Sequence, residues 1–182
     1  MDPNIALFFA IYNSFNSEAA NLFFNLITWA GNVFFWAAVG FVLVLKQRKK
    51  PAVDLLVASL FVVLFVQALK WDMMVARPFD ALPGVSSLVY GPLENDPSFP
   101  SGHSAIAAMG AVVLGCYYPR RKIPLAVLAS LVMLSRIYLG VHFPVDVLMG
   151  AMIGAAVGWL VVKWKADNRF MEKVVRTIRL EF

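Results

Sequence analysis

The sequence holds a single cysteine, Cys116. An internal disulfide is therefore excluded, and the residue says nothing of redox compartment. Charge is scarce as well: 15% of the 182 residues are Asp, Glu, Lys or Arg, against roughly a quarter in a soluble domain. From Ala19 to Leu45 there is none, a run of 27 residues, and a membrane-spanning helix needs only roughly 20 apolar ones. These absences exclude an ordinary soluble domain and a disulfide scaffold. No Lys or Arg precedes the first apolar stretch, so that stretch does not read as a cleavable signal peptide. Linkers and internal repeats are also missing, and residues 1–182 read as one membrane-embedded domain.

What is present is apolar and helical in pattern. Hydrophobic residues make up 60% of the chain. The fold class is all-α, a polytopic transmembrane helix bundle of about five spans. The spans run roughly 22–45, 52–71, 101–118, 123–139 and 144–164. Ahead of them, Ile5, Phe8, Phe9, Tyr12 and Phe15 recur at helical spacing in a segment too short to cross. Residues 1–18 thus read as an amphipathic interfacial helix, although plain packing of its aromatics against the bundle fits equally. Residues 79–99 form a loop punctuated by Pro and Gly, with three acidic residues and no basic one. Gly150, Gly154 and Gly158 give the last span a small-residue stripe for close helix contact. The segment 165–182 is a basic tail, fit to rest on an anionic membrane surface or to stand in solvent.

Thirteen of the sixteen Lys and Arg fall in the 46–50 turn, the 120–122 turn, or at and after the end of the last span. Five spans place all of these on one side, which the positive-inside rule makes cytoplasmic. This distribution accounts for the net charge of +5 without a nucleic-acid partner. The other three are Lys70, Arg77 and Arg136, at the opposite ends of their helices. Charged groups there are costly and mark function.

The same topology gathers eight residues at the outer end: Lys70, Arg77, Ser101, Gly102, His103, Arg136, His142 and Asp146. Three cations and a helix N-terminus whose amides lack internal partners suit a phosphate-like anion. Lys70 and Arg77 are seven apart, which a helix places on one face. His142 and Asp146 are four apart at a helix start. That spacing lets the carboxylate accept from one ring nitrogen and leaves the other lone pair free to act as nucleophile or base. Singly, these are residues that also snorkel, cap helices or fill polar niches; their convergence is what points to a site.

The pattern Lys70-x6-Arg77-Pro78, then Pro100-Ser101-Gly102-His103, then Ser135-Arg136-x5-His142-x3-Asp146 resembles the type 2 phosphatidic acid phosphatase superfamily. The resemblance implies that His142 is the nucleophile and Asp146 orients it. His103 protonates the leaving oxygen and then activates water. Lys70, Arg77, Ser101, Gly102 and Arg136 hold the phosphoryl oxygens. Phosphoryl transfer needs mainly positioning and charge stabilisation, so no metal or cofactor is expected; the sequence has no separate carboxylate cluster for Mg²⁺.

The expected function is metal-independent hydrolysis of a lipid phosphate, in the plasma or inner membrane, with the site on the extracytoplasmic side. Family habit makes a polyprenyl diphosphate of the undecaprenyl type the first choice of substrate. Phosphatidylglycerophosphate, phosphatidate or a lipid A phosphate comes second, and Gly102, where some carrier-specific relatives have Asp, weighs toward it. A vanadate-dependent haloperoxidase shares the pocket type but is soluble. Lipid phosphotransfer and non-catalytic anion carriage are more remote. Head group and oligomeric state are not written in the sequence.

Overall fold

The computed structural model describes residues 2–15, 17–92 and 94–167. Among them the regular elements are all helical: α1 (Pro3–Tyr12), α2 (Glu18–Thr28), α3 (Val33–Leu45), α4 (Lys49–Met73), α5 (Pro78–Ala81), α6 (Gly102–Tyr117), α7 (Lys122–Tyr138) and α8 (Pro144–Asp167). Single 3₁₀ turns lie at Trp29–Gly31 and Pro119–Arg121. By length and composition α4 and α8 each suffice to cross a membrane, and α2 with α3 makes a third crossing if taken as one bent unit. This is fewer than the sequence pattern suggests. The 16 residues of α6 and 17 of α7 rise only about 25 Å, short of a hydrocarbon core of about 30 Å.

The uncharged run 19–45 is not one continuous helix. It bends by 59° between α2 and α3. The Asn32 side chain accepts from the Phe34 amide at 2.9 Å and starts α3 afresh. At the break, the Trp36 indole N–H donates to the Ala30 carbonyl at 2.8 Å, because a buried carbonyl left unpaired is costly. Gly31 is where the break meets α6: a Cβ there would stand 2.8 Å from the His103 Cβ. Hydropathy does not reveal the bend, since both halves are apolar and carry no charge after Glu18. The Gly31-Asn32 pair is the only local signal.

Helix α6 is the centre of the bundle, with α4, α7 and α8 around it. Val62 and Val66 of α4 and Trp36 of α3 pack with Ala105, Met109 and Val113 of α6 in the main apolar cluster. Along α8, Gly150, Gly154 and Gly158 lie directly on the carbonyls of Ser101, Ala105 and Met109, so the two backbones touch without side chains between them. The one carboxylate in the first turns of α4, Asp54, is buried and accepts from the Tyr117 hydroxyl at 2.5 Å.

Helix α1 packs on the bundle. Phe8 is fully buried against Val85, Ile137 and Val147, and the Tyr12 hydroxyl pairs with the Ser86 backbone at 3.1 Å. The loop after α5 is stitched to α2: the Asn25 side chain donates to the Leu88 carbonyl at 2.9 Å and accepts from the Tyr90 amide at 2.7 Å. Of the basic tail expected at 165–182, residues 168–182 and the side chains of 165–167 lie outside the described residues.

Candidate active site

The three out-of-place cations converge, although not by the route their spacing suggests. Helix α4 stops at Met73. Met74 turns the chain with a left-handed φ of 48°, and Arg77 adopts an extended conformation ahead of Pro78, as a residue before proline prefers. Lys70 and Arg77 therefore do not share a helix face. They meet because both reach Asp96: Lys70 Nζ lies 2.7 Å from Oδ2 and Arg77 Nη2 2.7 Å from Oδ1. Arg136, from the last turn of α7, joins through Glu94, whose carboxylate also binds Arg77 Nη1 at 2.7 Å.

Backbone and side-chain oxygens fix the three cations further. Lys70 donates to the Pro97 carbonyl at 2.5 Å. Arg77 donates to the carbonyls of Asp96 at 2.8 Å and Val141 at 3.0 Å. Arg136 donates to Thr28 of α2 at 2.9 Å. All three side chains are 5% exposed or less. One buried donor, the Arg136 Nε, has no partner among the described residues. Burial alone would push the Glu94 carboxyl up, but the guanidinium charges of Arg136 and Arg77 outweigh it and hold the group down at about 2. Asp96 is likewise held low, since Lys70 and Arg77 outweigh its own partial burial.

The expected direct bond from His142 to Asp146 is replaced by a bridge. His142 Nδ1 and Asp146 Oδ2 are 3.6 Å apart, beyond hydrogen-bond range. Ser98 stands beside both: its hydroxyl donates to Asp146 Oδ2 at 2.5 Å and lies 3.2 Å from His142 Nδ1. Because that hydroxyl proton is given to the carboxylate, Ser98 Oγ accepts from Nδ1–H. This leaves the lone pair on Nε2, which faces Arg77 Nη1 at 3.4 Å and Glu94 Oε2 at 3.9 Å. Burial, and then the charges of Arg136 and Arg77, lower the pKa of His142 well below its usual range, so the ring is neutral. Asp146 also accepts from the Phe143 amide at 2.9 Å, closing the first turn of α8 that Pro144 begins.

Ser101 caps α6 and donates its amide to the Asp146 carbonyl at 3.0 Å, tying this helix start to that of α8. Helix geometry leaves the amides of Gly102 and His103 without intrahelical partners. The His103 side chain abuts Gly31, and its charge, when present, acts on Glu94.

All eight residues singled out from the sequence thus lie at one end of the bundle. Thr28, Glu94, Asp96 and Ser98 join them unforeseen. The available signal was the 79–99 loop itself, acidic with no basic residue, on the side that carries three stray cations.

The chain is similar to known proteins over most of its length. The family model described as the PAP2 superfamily matches residues 51–170, which contain all eight residues. An undecaprenyl-diphosphatase of Sulfolobus acidocaldarius is 31% identical over 135 residues, 73% of this chain. The matched stretch is 65% of that relative's own length, just under two thirds. The crystal structure of Aquifex aeolicus LpxE superposes with a TM-score of 0.79 at 33% identity, covering 88% of this chain and 94% of that one. A PAP2 type phosphatidylglycerolphosphate phosphatase from Bacillus subtilis gives 0.69 at 27% identity, covering 93% and 90%.

Proposed function

We propose, because this chain belongs to the PAP2 superfamily, that it hydrolyses a lipid phosphate through a phospho-histidine intermediate without a metal ion. The observation that carries the reading is the neutral His142 whose Nε2 lone pair looks into a seat formed by Arg77 and Arg136, with Lys70 alongside. Passive anion binding has no use for an imidazole held in that tautomer.

In the first step the Nε2 lone pair attacks phosphorus and the bond from phosphorus to the leaving oxygen breaks. His103, which the negative charge of the bound phosphoryl group favours in its protonated form, gives its proton to that oxygen. In the second step water loses a proton to His103 and attacks the same phosphorus. The P–N bond breaks, inorganic phosphate leaves, and His142 returns neutral. Lys70, Arg77 and Arg136 with the first amides of α6 meet the charge on the equatorial oxygens, and the spare Arg136 Nε offers one further donor. Asp146, acting through Ser98, fixes the tautomer and offsets the charge that develops on the ring.

The reading includes five crossings, with α6 and α7 as short ones among longer neighbours, and α1 at the membrane interface. The basic turns at 46–50 and 120–122 would face the cytoplasm and the site the opposite side. A substrate with long tails would enter from the outer leaflet. A polyprenyl diphosphate is the first choice. The similarity to an undecaprenyl-diphosphatase supports it, as does a cation cluster that holds two carboxylates side by side. Similarity to a phosphatidylglycerolphosphate phosphatase and to a lipid A 4'-phosphatase favours a lipid monoester as the second reading.

The test is phosphate release by purified protein in detergent with a chelator present. The panel is a polyprenyl diphosphate, phosphatidylglycerophosphate, phosphatidate and a lipid A phosphate. Release from one or more is expected, and the fastest names the substrate; no release from any sinks the reading. Within it, Ser98→Ala is expected to lower kcat by roughly 10- to 100-fold, the cost of a slightly misplaced reacting group. KM should change little, and Ser98→Thr, which keeps a hydroxyl, should recover most of the loss. An unchanged kcat in Ser98→Ala would remove the bridge from the mechanism.

A further inference from the structure

The cation seat already holds an anion of this chain's own making. Glu94 bridges Arg77 and Arg136, with one oxygen 3.9 Å from His142 Nε2. Asp96 bridges Lys70 and Arg77. Both carboxylates stand where phosphoryl oxygens would stand in the function proposed above, on which this inference rests. Glu94 cannot coexist there with a phosphoryl group in line with Nε2.

We infer that Glu94 and Asp96 are resident ligands of the phosphoryl seat, which a substrate must displace, and that they set its selectivity for phosphoryl groups of two or more negative charges over phosphodiesters. The physical basis is competition. Two carboxylates offset two of the three positive charges. They act at the high effective concentration of a tethered group, so the ligand-ready form is only a fraction of the population and apparent affinity falls by that fraction. A terminal phosphate or diphosphate brings more charge and more oxygens than the carboxylates it replaces. A phosphodiester brings one charge and gains little from the exchange. This matters at a membrane surface, where phosphodiester head groups are abundant and an unoccupied cationic seat would hold them. Discrimination by an unfavourable competitor is a general route to specificity. A cavity of about 320 Å³ on the outer side of Arg77, lined by Trp71, Met74, Phe79, Asp80, Glu94 and Asp96, gives the displaced side chains room. Gly91, with a φ of +129°, lies just upstream.

The test uses orthovanadate, a phosphate analogue whose binding needs no turnover, on the full chain in detergent. Calorimetry on Glu94→Gln is expected to show vanadate bound at least tenfold tighter than by wild type, and Asp96→Asn a smaller gain in the same direction. Glycerophosphoglycerol, a soluble phosphodiester, is expected to compete with vanadate in Glu94→Gln and not in wild type. A readout without substitution guards against misfolded variants: saturating vanadate should speed hydrogen exchange of the Ser98 amide in wild type, since that N–H donates to the Val75 carbonyl at 2.7 Å and ties down the loop that carries both carboxylates. Unchanged or weaker vanadate binding by folded Glu94→Gln, equal phosphodiester competition in both proteins, or unchanged or slowed exchange would each overturn the inference. A wild type that binds vanadate as described but releases phosphate from no lipid would instead defeat the function proposed above and leave this competition standing.

Discussion

Phosphate release by His142→Asn is expected to fall by about 10⁴-fold or more, the scale of loss when a covalent catalyst loses its nucleophile. The expectation follows from how the ring is held. Nδ1 is engaged by Ser98, and Nε2 is left with its lone pair toward the seat. Of the two imidazoles at that end, His103 is assigned to the leaving oxygen and to water, which leaves His142 to attack phosphorus. Asparagine is close to histidine in size and polarity, so the cations should stay in place and inorganic phosphate should still bind. The combination separates chemistry from binding: kcat collapses while affinity for inorganic phosphate stays within a few-fold of wild type. Activity within tenfold of wild type would show that some other group, or water directly, attacks phosphorus.

The second large effect is structural. Gly154→Val is expected to cost stability and activity together. A Cβ at Gly154 falls on the Ala105 carbonyl oxygen, carbon and Cα. All three are backbone atoms, so no change of rotamer relieves the overlap and α8 must move away from α6. Overpacking of this kind costs about 1–3 kcal/mol, and the displaced helix is the one that carries Asp146 into the site. Thermal inactivation in detergent should shift down by several degrees, with phosphate release per folded molecule reduced as well. Met152→Ala, two residues away on the outward face where Met152 is 55% exposed, should leave both unchanged. A Gly154→Val protein as stable and active as wild type would mean that the α6–α8 contact is looser than described.

The unequal legibility of fold and site has physical causes. Apolar runs between basic turns locate helices α4, α6, α7 and α8 within a few residues, because hydropathy reports what each segment is dissolved in. The same signal is blind to the bend at Trp29–Asn32, where a helix breaks inside an apolar stretch and mends its loose carbonyl with Trp36. Motif spacing brings Lys70, Arg77, Arg136, His103 and His142 to one end because topology alone does that. It gives the reason wrongly for Lys70 and Arg77, which meet across the end of a helix rather than along its face. It misses Ser98 between His142 and Asp146, since an i,i+4 spacing permits a contact without guaranteeing one. Glu94 and Asp96 are the deeper omission. Their loop has no periodicity, and only the charge imbalance between an acidic loop and three stray cations hints that they meet.

The most direct test of the central claim is to trap the covalent intermediate. Wild-type protein would be mixed with ³²P-labelled substrate in the presence of a chelator, quenched within one turnover, and digested for mass spectrometry. The account predicts one label per active chain, stable to alkali and lost in acid, on the peptide that carries His142, and none on His142→Asn. A label that survives acid, a label on Asp146 or Glu94, or full turnover with no labelled protein at any time would contradict it.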